Sequence, residues 1–210
     1  MNSREKRHPS LTPSFPLSAE QTSRVMTNVE SPEPHQGWYS RGYLLHWDHP
    51  GMIQSMTFRL DDSMPASVIE KWKTELSLQP EGQRAVELRR RIEEYLDDGQ
   101  GGCWLRQPEV AYLVESALIY FDGQRYRLLA WCIMPNHVHA LIETKVGFPL
   151  AGVLHSWKSF TGHKANELLQ RSGEFWQREY LDRYVRNAEH YNKVVAYIEQ
   201  NPVKAGLVKL

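Results

Sequence analysis

Residues 125–143, RYRLLAWCIMPNHVHALIE, predict the centre of the fold. Residues 125–134 carry apolar side chains on both faces of an extended chain, as a central strand of a sheet does. Pro135 and Asn136 are turn formers, and residues 137–143 resume as a second strand. The stretch therefore predicts a β-hairpin that is buried within a sheet.

The segments on either side of this hairpin predict helices and further strands. Alternating apolar and polar side chains over residues 52–60 favour a strand, and residues 175–184 favour an edge strand or an ordered loop. Apolar spacing and flanking Pro or Gly residues predict helices over 66–76, 83–96, from 108, after 149 and over 188–201, the last stopped by Pro202. This order favours an α+β fold, with a central antiparallel sheet and helices packed mainly on one face.

Length and composition limit the classes of function. A chain of 210 residues with 41% hydrophobic residues can form one domain with a buried core. Residues 1–36, rich in Pro, Ser, Thr and Glu, predict a flexible N-terminal tail, which leaves 37–210 as the domain. There is no apolar run of ~20 residues, no secretory signal in the polar residues 1–10, and no disulfide framework in two cysteines. We therefore expect a cytoplasmic protein with no membrane partner.

The neutral net charge hides an uneven distribution. The chain has 25 basic and 25 acidic residues, but residues 1–122 hold 13 basic and 18 acidic residues, whereas residues 123–210 hold 12 basic and 7 acidic ones. Five of the nine histidines also lie in the second part. Such asymmetry indicates a face that binds anions or nucleic acid, although chance variation over a solvated surface also produces it.

His137 and His139 form the sharpest local motif. Side chains alternate along a strand, so both imidazoles project from one face, while Val138, Ala140 and Ile142 project from the other, toward the helices. Two imidazoles on one face can chelate a transition-metal ion, but histidines on a polar face also make ordinary hydrogen bonds. The motif alone leaves both alternatives open.

Tyr197 and Asn201 lie one turn apart at the margin of the apolar stripe of the last helix. Singly, an Asn before a Pro stop is typical of a helix cap, and a Tyr at such a margin is typical of packing. Together with two histidines they fit a metal-assisted site in which a phenol attacks a polarised phosphodiester. The product of that attack is a phosphotyrosine linkage, which conserves the bond energy for rejoining.

Cations and aromatic rings alternate over residues 156–160 and 175–180. Rings that stack on bases and cations that contact phosphates hold single-stranded nucleic acid. Trp157 and Phe160 lie on an apolar helical stripe and favour the core instead. The candidate phosphate contacts are Lys158, Arg178, Arg183, Arg186, Lys193 and Lys204.

Four segments together resemble the REP-associated tyrosine transposases, which belong to the single-tyrosine transposases among the HUH single-strand DNA endonucleases. They are RYRLLAWCIMPNHVHALI at 125–142, LHSWKSFTGHKAN at 154–166, FWQREYLDRYVRN at 175–187 and YIEQNPVKAGLV at 197–208. Because the motifs occur in this order, the resemblance is far more specific than the two histidines alone, and it runs from about Trp38 to Leu210.

The resemblance implies a ferredoxin-like α+β fold and assigns roles to individual residues. His137 and His139 correspond to the HUH histidines, Tyr197 to the nucleophile, and Asn201 to an amide that helps to hold the metal. Tyr197 would attack single-stranded DNA that bears palindromic repeat hairpins, leaving a 5′-phosphotyrosine and a free 3′-hydroxyl. The implied cofactor is Mg²⁺ or Mn²⁺, and two imidazole ligands suit Mn²⁺ better. Such a protein would be nucleoid-associated and act as a monomer or a homodimer.

Two other functions would use parts of the same motifs. A non-cleaving binding protein for palindromic DNA repeats would bind hairpins without the metal and without His137. A hydrolytic metalloenzyme that acts on small phosphoesters would need the histidines but not Tyr197. The resemblance favours the metal-dependent endonuclease and strand transferase over both.

Overall fold

The computed structural model describes residues 34–40 and 44–208, in which a four-stranded antiparallel sheet has the order β4-β5-β3-β6 and a separate hairpin pairs β1 with β2. The strands are β1 Gly37–Ser40, β2 Leu45–Asp48, β3 Ile53–Arg59, β4 Tyr126–Ile133, β5 His137–Thr144 and β6 Leu181–Tyr184. The helices are α1 Ala66–Leu76, α2 Glu81–Asp97, α3 Pro108–Tyr120, α4 Leu150–Leu168 and α5 Ala188–Lys204.

The chain follows a strand–helix–strand–strand–helix–strand path through the main sheet. β3, α3, β4, β5, α4 and β6 follow one another in this way, and α1 and α2 are inserted between β3 and α3. This path, with the observed strand order, is the ferredoxin-like arrangement. The predicted ferredoxin-like α+β fold with a central antiparallel sheet is confirmed.

The predicted hairpin is confirmed as β4 and β5, but the prediction that residues 125–134 form a central strand is wrong, because β4 is an edge strand and only β5 is central. β4 is apolar on both faces because Tyr126 packs in the core on one side of the sheet, whereas Ala130 and Cys132 pack on the other.

Pro135 and Asn136 form the turn of the hairpin, which the Met134 N–H closes by donating to the carbonyl of His137 at 2.9 Å. β5 also pairs with β3, in a register that places Thr57 opposite His139 and Arg59 opposite His137. The two histidines therefore lie on a strand with a partner on each side.

The larger apolar core lies on the sheet face covered by α3 and α4. Val138, Ala140 and Ile142 face this core, as the alternation along β5 predicted. Trp157 is buried there, and its Nε1–H donates to the hydroxyl of Tyr126 at 2.9 Å. The preference for a core role of Trp157 over base stacking is therefore confirmed, and Phe160 is buried in the same cluster.

A thinner helical layer covers the opposite face of the sheet. Ile198 of α5 packs there against Leu141 of β5 and Cys132 of β4. The α1–α2 pair contributes a second cluster, in which Leu88, Ile92 and Leu96 of α2 follow the four-residue spacing of one helical face and meet Leu181 of β6. These two contacts place α5 and the end of α2 beside the histidine face.

The predicted end of the last helix at Asn201 is wrong, because α5 continues through Pro202 to Lys204. A proline lacks the N–H that an interior turn needs. Here the Ala205 N–H donates to the Asn201 carbonyl and the Gly206 N–H to that of Val203, so the turn around the proline still closes. The other predicted helices and strands lie within two residues of their expected bounds, and residues 175–184 form an edge strand only over Leu181–Tyr184.

The β1–β2 hairpin, which the sequence did not predict, docks on β6 through a buried histidine. His46 Nδ1–H donates to Asp182 at 2.5 Å, and its Nε2–H donates to Glu179 at 2.8 Å. Burial alone would lower the pKa of His46, but these two carboxylates outweigh it and raise the pKa from 6.5 to about 9. The imidazolium therefore ties the hairpin to the sheet edge.

The predicted flexible tail, residues 1–36, lies outside the described residues except for 34–36. In that short piece the His35 ring and the Gln36 N–H both hydrogen-bond to the Asp48 carboxylate. Among the residues that the structure describes, no helix combines the length and the apolar character needed to cross a bilayer.

The raised pKa of His46 predicts that stability falls in alkaline solution. The contribution is fully present below the unfolded pKa of about 6.5 and is lost as pH rises through about 9, on the order of 3 kcal/mol in total. Urea unfolding of the wild type at about pH 6 and about pH 10 measures this loss. His46→Gln should abolish it, whereas His49→Gln, at an exposed histidine, should keep it. An unchanged pH dependence in His46→Gln contradicts the assignment.

Candidate metal and nucleophile site

The proton position on His137 follows from the hydrogen bonds of Asn136. The Asn136 Nδ2 donates to the carbonyl of Gln100 at 2.9 Å, and since that carbonyl only accepts, the amide oxygen must face the other way. That oxygen lies 2.7 Å from His137 Nδ1, which must therefore carry the proton. His137 Nε2 is left with a lone pair directed into the site, as a metal ligand requires.

Thr57, on the neighbouring strand β3, forms a hydrogen bond with the imidazole of His139. Its hydroxyl lies 2.8 Å from His139 Nδ1. A hydroxyl can donate to that nitrogen, so that His139 Nε2–H bonds to His137, or it can accept from it, so that His139 Nε2 presents a lone pair. The ring can thus change tautomer within the same packing.

The Nε2 atoms of His137 and His139 lie 2.9 Å apart. Two nitrogens bonded at about 2.1 Å to one ion and at right angles would lie about 3 Å apart, so the spacing fits two ligands of one metal. Burial lowers the pKa of His139 to about 3, and burial together with the neighbouring ring lowers the pKa of His137 well below its usual range. Both imidazoles are therefore neutral near pH 7 and suited to binding a cation.

Asp97 is a residue at the site that the sequence reasoning missed. Its carboxylate Oδ1 lies 3.6 Å from His137 Nε2, and ligand atoms of Asp97, His137 and His139 all lie within 4.8 Å of one another. Burial raises the pKa of Asp97 from 3.8 to about 6, and Asp98 raises it further, while Lys204 opposes the shift. In the sequence, residues 96–99 (LDDG) predict only the end of a helix. The neighbouring residues do not show which strand the Asp97 carboxylate faces.

Tyr197 extends from α5 over the histidines. Its ring meets that of His139 edge to face, with 5.2 Å between the ring centroids. Burial raises the pKa of the Tyr197 phenol above its usual value, the carboxylates of Asp97 and Glu93 raise it further, and the Asn201 amide opposes this. The phenol is therefore neutral near pH 7 and needs assistance to act as a nucleophile.

Asn201 is buried one turn beyond Tyr197, within α5 and not at its end. Its Nδ2 is enclosed and makes no hydrogen bond of ordinary geometry among the described residues, although the amide lies close enough to the Tyr197 phenol to lower the pKa of that phenol. A buried amide with an unpaired group is costly unless it serves a ligand or a neighbour. The helix-cap alternative is excluded by its place in the helix, while its role toward a metal stays a prediction.

The six predicted phosphate contacts fall into two groups. Arg183 and Lys204 lie close enough to the carboxylates of Glu93 and Asp97 to influence their pKa values, so they border the histidine face. Arg186 and Lys193 are exposed nearby, and Lys193 pairs with Glu189 at 2.6 Å.

Lys158 and Arg178 form the second group, away from the histidines. They line a cavity of about 580 Å³ beside α4, the helix that packs on the opposite face of the sheet. The Lys158 ammonium donates to the carbonyls of Gln177 and Arg178, at 2.6 and 2.9 Å, so it ties α4 to the segment before β6. The Arg178 side chain is exposed, and a phosphate contact for either residue stays a prediction.

The amide of Asn136 should be required for the His137 tautomer. Asn136→Ala removes the partners of His137 Nδ1–H and of the Gln100 carbonyl, and we expect the free energy of unfolding to fall by roughly 1–3 kcal/mol. The ¹⁵N chemical shifts of the His137 ring should lose the pattern of a protonated Nδ1. Asn192→Ala, at an exposed position of α5, should change stability by less than ~0.5 kcal/mol. Unchanged ring shifts in Asn136→Ala would show that the amide does not set the tautomer.

Residues 111–201 match the model of a family described as IS200-like transposases. Among solved structures, the chain is similar to a REP-associated tyrosine transposase bound to a REP hairpin, with 18% identity and a TM-score of 0.47 over 81% of this chain and 74% of the other. It is also similar to a protein described as a transposase from Deinococcus radiodurans R1, with 14% identity and a TM-score of 0.36 over 78% and 96% of the two chains. No curated protein matches it. The matched residues 111–201 include the histidine pair and Tyr197, and the match agrees with the resemblance of the sequence to the REP-associated tyrosine transposases.

Proposed function

We propose that this protein is a metal-dependent endonuclease and strand transferase for single-stranded DNA, with Tyr197 as the nucleophile. The observation that carries the proposal is the contact between the Tyr197 ring and His139, beside two imidazole nitrogens that converge at 2.9 Å. The family match supports DNA processing of the transposase type. Repeat hairpins are the substrate class that the sequence resemblance implies.

His137 and His139 would hold the divalent cation, Mg²⁺ or Mn²⁺, with the Asn201 amide beside them. When bound, the cation polarises the scissile phosphate and neutralises charge that develops during the displacement. The protein prepares this site by keeping both imidazoles neutral, and the Asn136 and Thr57 side chains hold the two rings in position.

The proposed step is a displacement at phosphorus. The Tyr197 hydroxyl oxygen forms a bond to the phosphorus, and the bond from phosphorus to the 3′ oxygen breaks. The phenol proton passes to water, and the departing 3′ oxygen takes up a proton from water. The strand on the 3′ side stays attached as a 5′-phosphotyrosine, and because the phosphodiester energy is kept, another 3′-hydroxyl can reverse the step.

The surroundings of Tyr197 suit a nucleophile that is activated only with substrate in place. Because burial and nearby carboxylates raise its pKa, the free phenol stays protonated in the resting protein. A cation and a phosphate in the site would change that balance. The cations Arg183, Arg186, Lys193 and Lys204 lie along β6, α5 and the segment between them, where we propose that they contact the DNA backbone.

The nucleophile is tested with hairpin-bearing single strands that are labelled at the 3′ end and incubated with Mn²⁺. Wild-type protein should give a labelled covalent adduct on a denaturing gel, and Tyr197→Phe should reduce it by at least ~10³-fold, since removal of a nucleophile removes the step. Tyr191→Phe, which removes another phenol of the same helix, should retain the adduct.

Three outcomes contradict the proposal. An undiminished adduct in Tyr197→Phe means that another group attacks. Hairpin binding without any adduct, and independent of Mn²⁺ and of His137, supports the non-cleaving binding protein. Turnover of small phosphoesters that survives in Tyr197→Phe supports the hydrolytic metalloenzyme.

A further inference from the structure

The C-terminal end of α2 places the Asp97 carboxylate beside His137 and His139, although α2 lies outside the residues that match the family model. Asp97 is the last residue of this helix, and its Oδ1 lies 3.6 Å from His137 Nε2. The family match begins at residue 111, so the α1–α2 pair lies before it. Asp97 therefore lies outside the residues that match the family model.

Packing and hydrogen bonds hold the end of α2 in this place. Leu96, immediately before Asp97, is buried in the cluster that joins α2 to Leu181 of β6. Gln100, three residues later, accepts the hydrogen bond from Asn136, the residue that also orients His137. Gly101 has φ +87°, and a Cβ there would lie 2.6 Å from the Asp62 carbonyl, so this segment is closely fitted. The end of α2 and the turn before the histidines are thus joined by apolar packing and by a hydrogen bond.

The charges around Asp97 are unfavourable without a cation. The C-terminal end of a helix carries partial negative charge, so acidic residues there are destabilising. α2 nevertheless ends in Asp97 and Asp98, with Glu94 one turn earlier and no basic residue in its last turn. Lys204 is a nearby positive charge, but it belongs to α5 and is exposed. A divalent cation at the His137 and His139 nitrogens would relieve this repulsion.

An ion pair between Asp97 and His137 does not explain the arrangement. It needs a protonated Nε2, whereas the Asn136 oxygen holds a proton on Nδ1, and the ring is buried with the Nε2 of His139 only 2.9 Å from its own Nε2. The neutral ring presents its lone pair toward the carboxylate. Two groups that both offer lone pairs at short distance are typical of ligands that share a cation.

We propose that Asp97 is a third protein ligand of the divalent ion held by His137 and His139. The inference rests on the metal-binding part of the proposed function and not on the tyrosine chemistry. Two imidazoles and one carboxylate suit Mn²⁺ better than Mg²⁺, which prefers oxygen ligands and water. The helical pair inserted between β3 and α3 therefore contributes directly to the metal site.

Calorimetric titration of the full chain with MnCl₂ alone, without DNA, tests this ligand. We expect Asp97→Asn to weaken the Mn²⁺ affinity by at least ~10-fold, and Asp98→Asn, which removes the neighbouring charge, by less than ~3-fold. His139→Ala serves as the positive control for loss of the site. Without metal, the melting temperature of Asp97→Asn should equal or exceed that of the wild type, since an unfavourable charge is removed. Adding Mn²⁺ should raise the melting temperature of the variant less than that of the wild type.

Several results would overturn the inference. Wild-type affinity in Asp97→Asn together with loss in His139→Ala shows a metal site that does not use Asp97. Equal weakening in Asp98→Asn shows only a general effect of negative charge. A lower melting temperature of metal-free Asp97→Asn shows that the carboxylate serves a stabilising ion pair. Mn²⁺ binding as expected, with no adduct from the wild-type protein, leaves this inference standing and contradicts the proposed function instead.

Discussion

The side-chain amide of Asn136 is the constraint on which the rest of the site depends. One end of it fixes the proton of His137, and the other end bonds to the segment that follows α2. Its backbone carbonyl also accepts from the N–H of Leu60, at the end of β3. A single buried turn residue therefore joins the β4–β5 hairpin, its neighbouring strand β3 and the inserted helices. The amide can do this because its two ends differ, one donating and one accepting.

The site keeps several polar groups in places where burial or a nearby charge is unfavourable without a ligand. Two neutral imidazoles face each other, a carboxylate lies at the negative end of a helix, and a phenol is held in its protonated form. Such locally unfavourable arrangements persist where the surrounding structure determines them, and they are characteristic of functional sites. Here the determinants are the strand pairing of β5 on both sides and the apolar contacts of α2 and α5.

The parts of the fold that local patterns encode were predictable, and the parts that depend on distant partners were not. Alternation along residues 137–143 placed both histidines on one face, and apolar spacing located the helices, because each signal lies within a few residues. His46 bonds to a carboxylate 136 residues away, and Asp97 meets a histidine 40 positions later, so neither contact has a local signature. The end of the last helix was predicted wrongly because Pro202 lacks a backbone N–H, which is visible in the sequence. The hydrogen bonds that offset this loss form in the next turn and are not visible there.

The same distinction applies to the predicted cations. The charge and ring patterns placed Lys158 and Arg178 in one set of phosphate contacts with the four other cations. The structure instead separates them across the sheet, and the Lys158 ammonium is bonded to backbone carbonyls. Sequence spacing cannot show on which side of a sheet a helix packs, so it could not divide these cations into two surfaces.

The pairing of β3 with β5 limits how the length of this chain can vary among related proteins. Thr57 faces His139 only in the observed register, and a shift by one residue would turn every side chain of β3 to the opposite face. One inserted residue in β3 would thus replace the Thr57 hydroxyl by an apolar side chain next to the histidine, although the total composition would barely change. The turn between α1 and α2 is free of this restriction, since Leu78 there is 97% exposed. Related chains should accordingly differ in length at such turns while β3 keeps a constant number of residues.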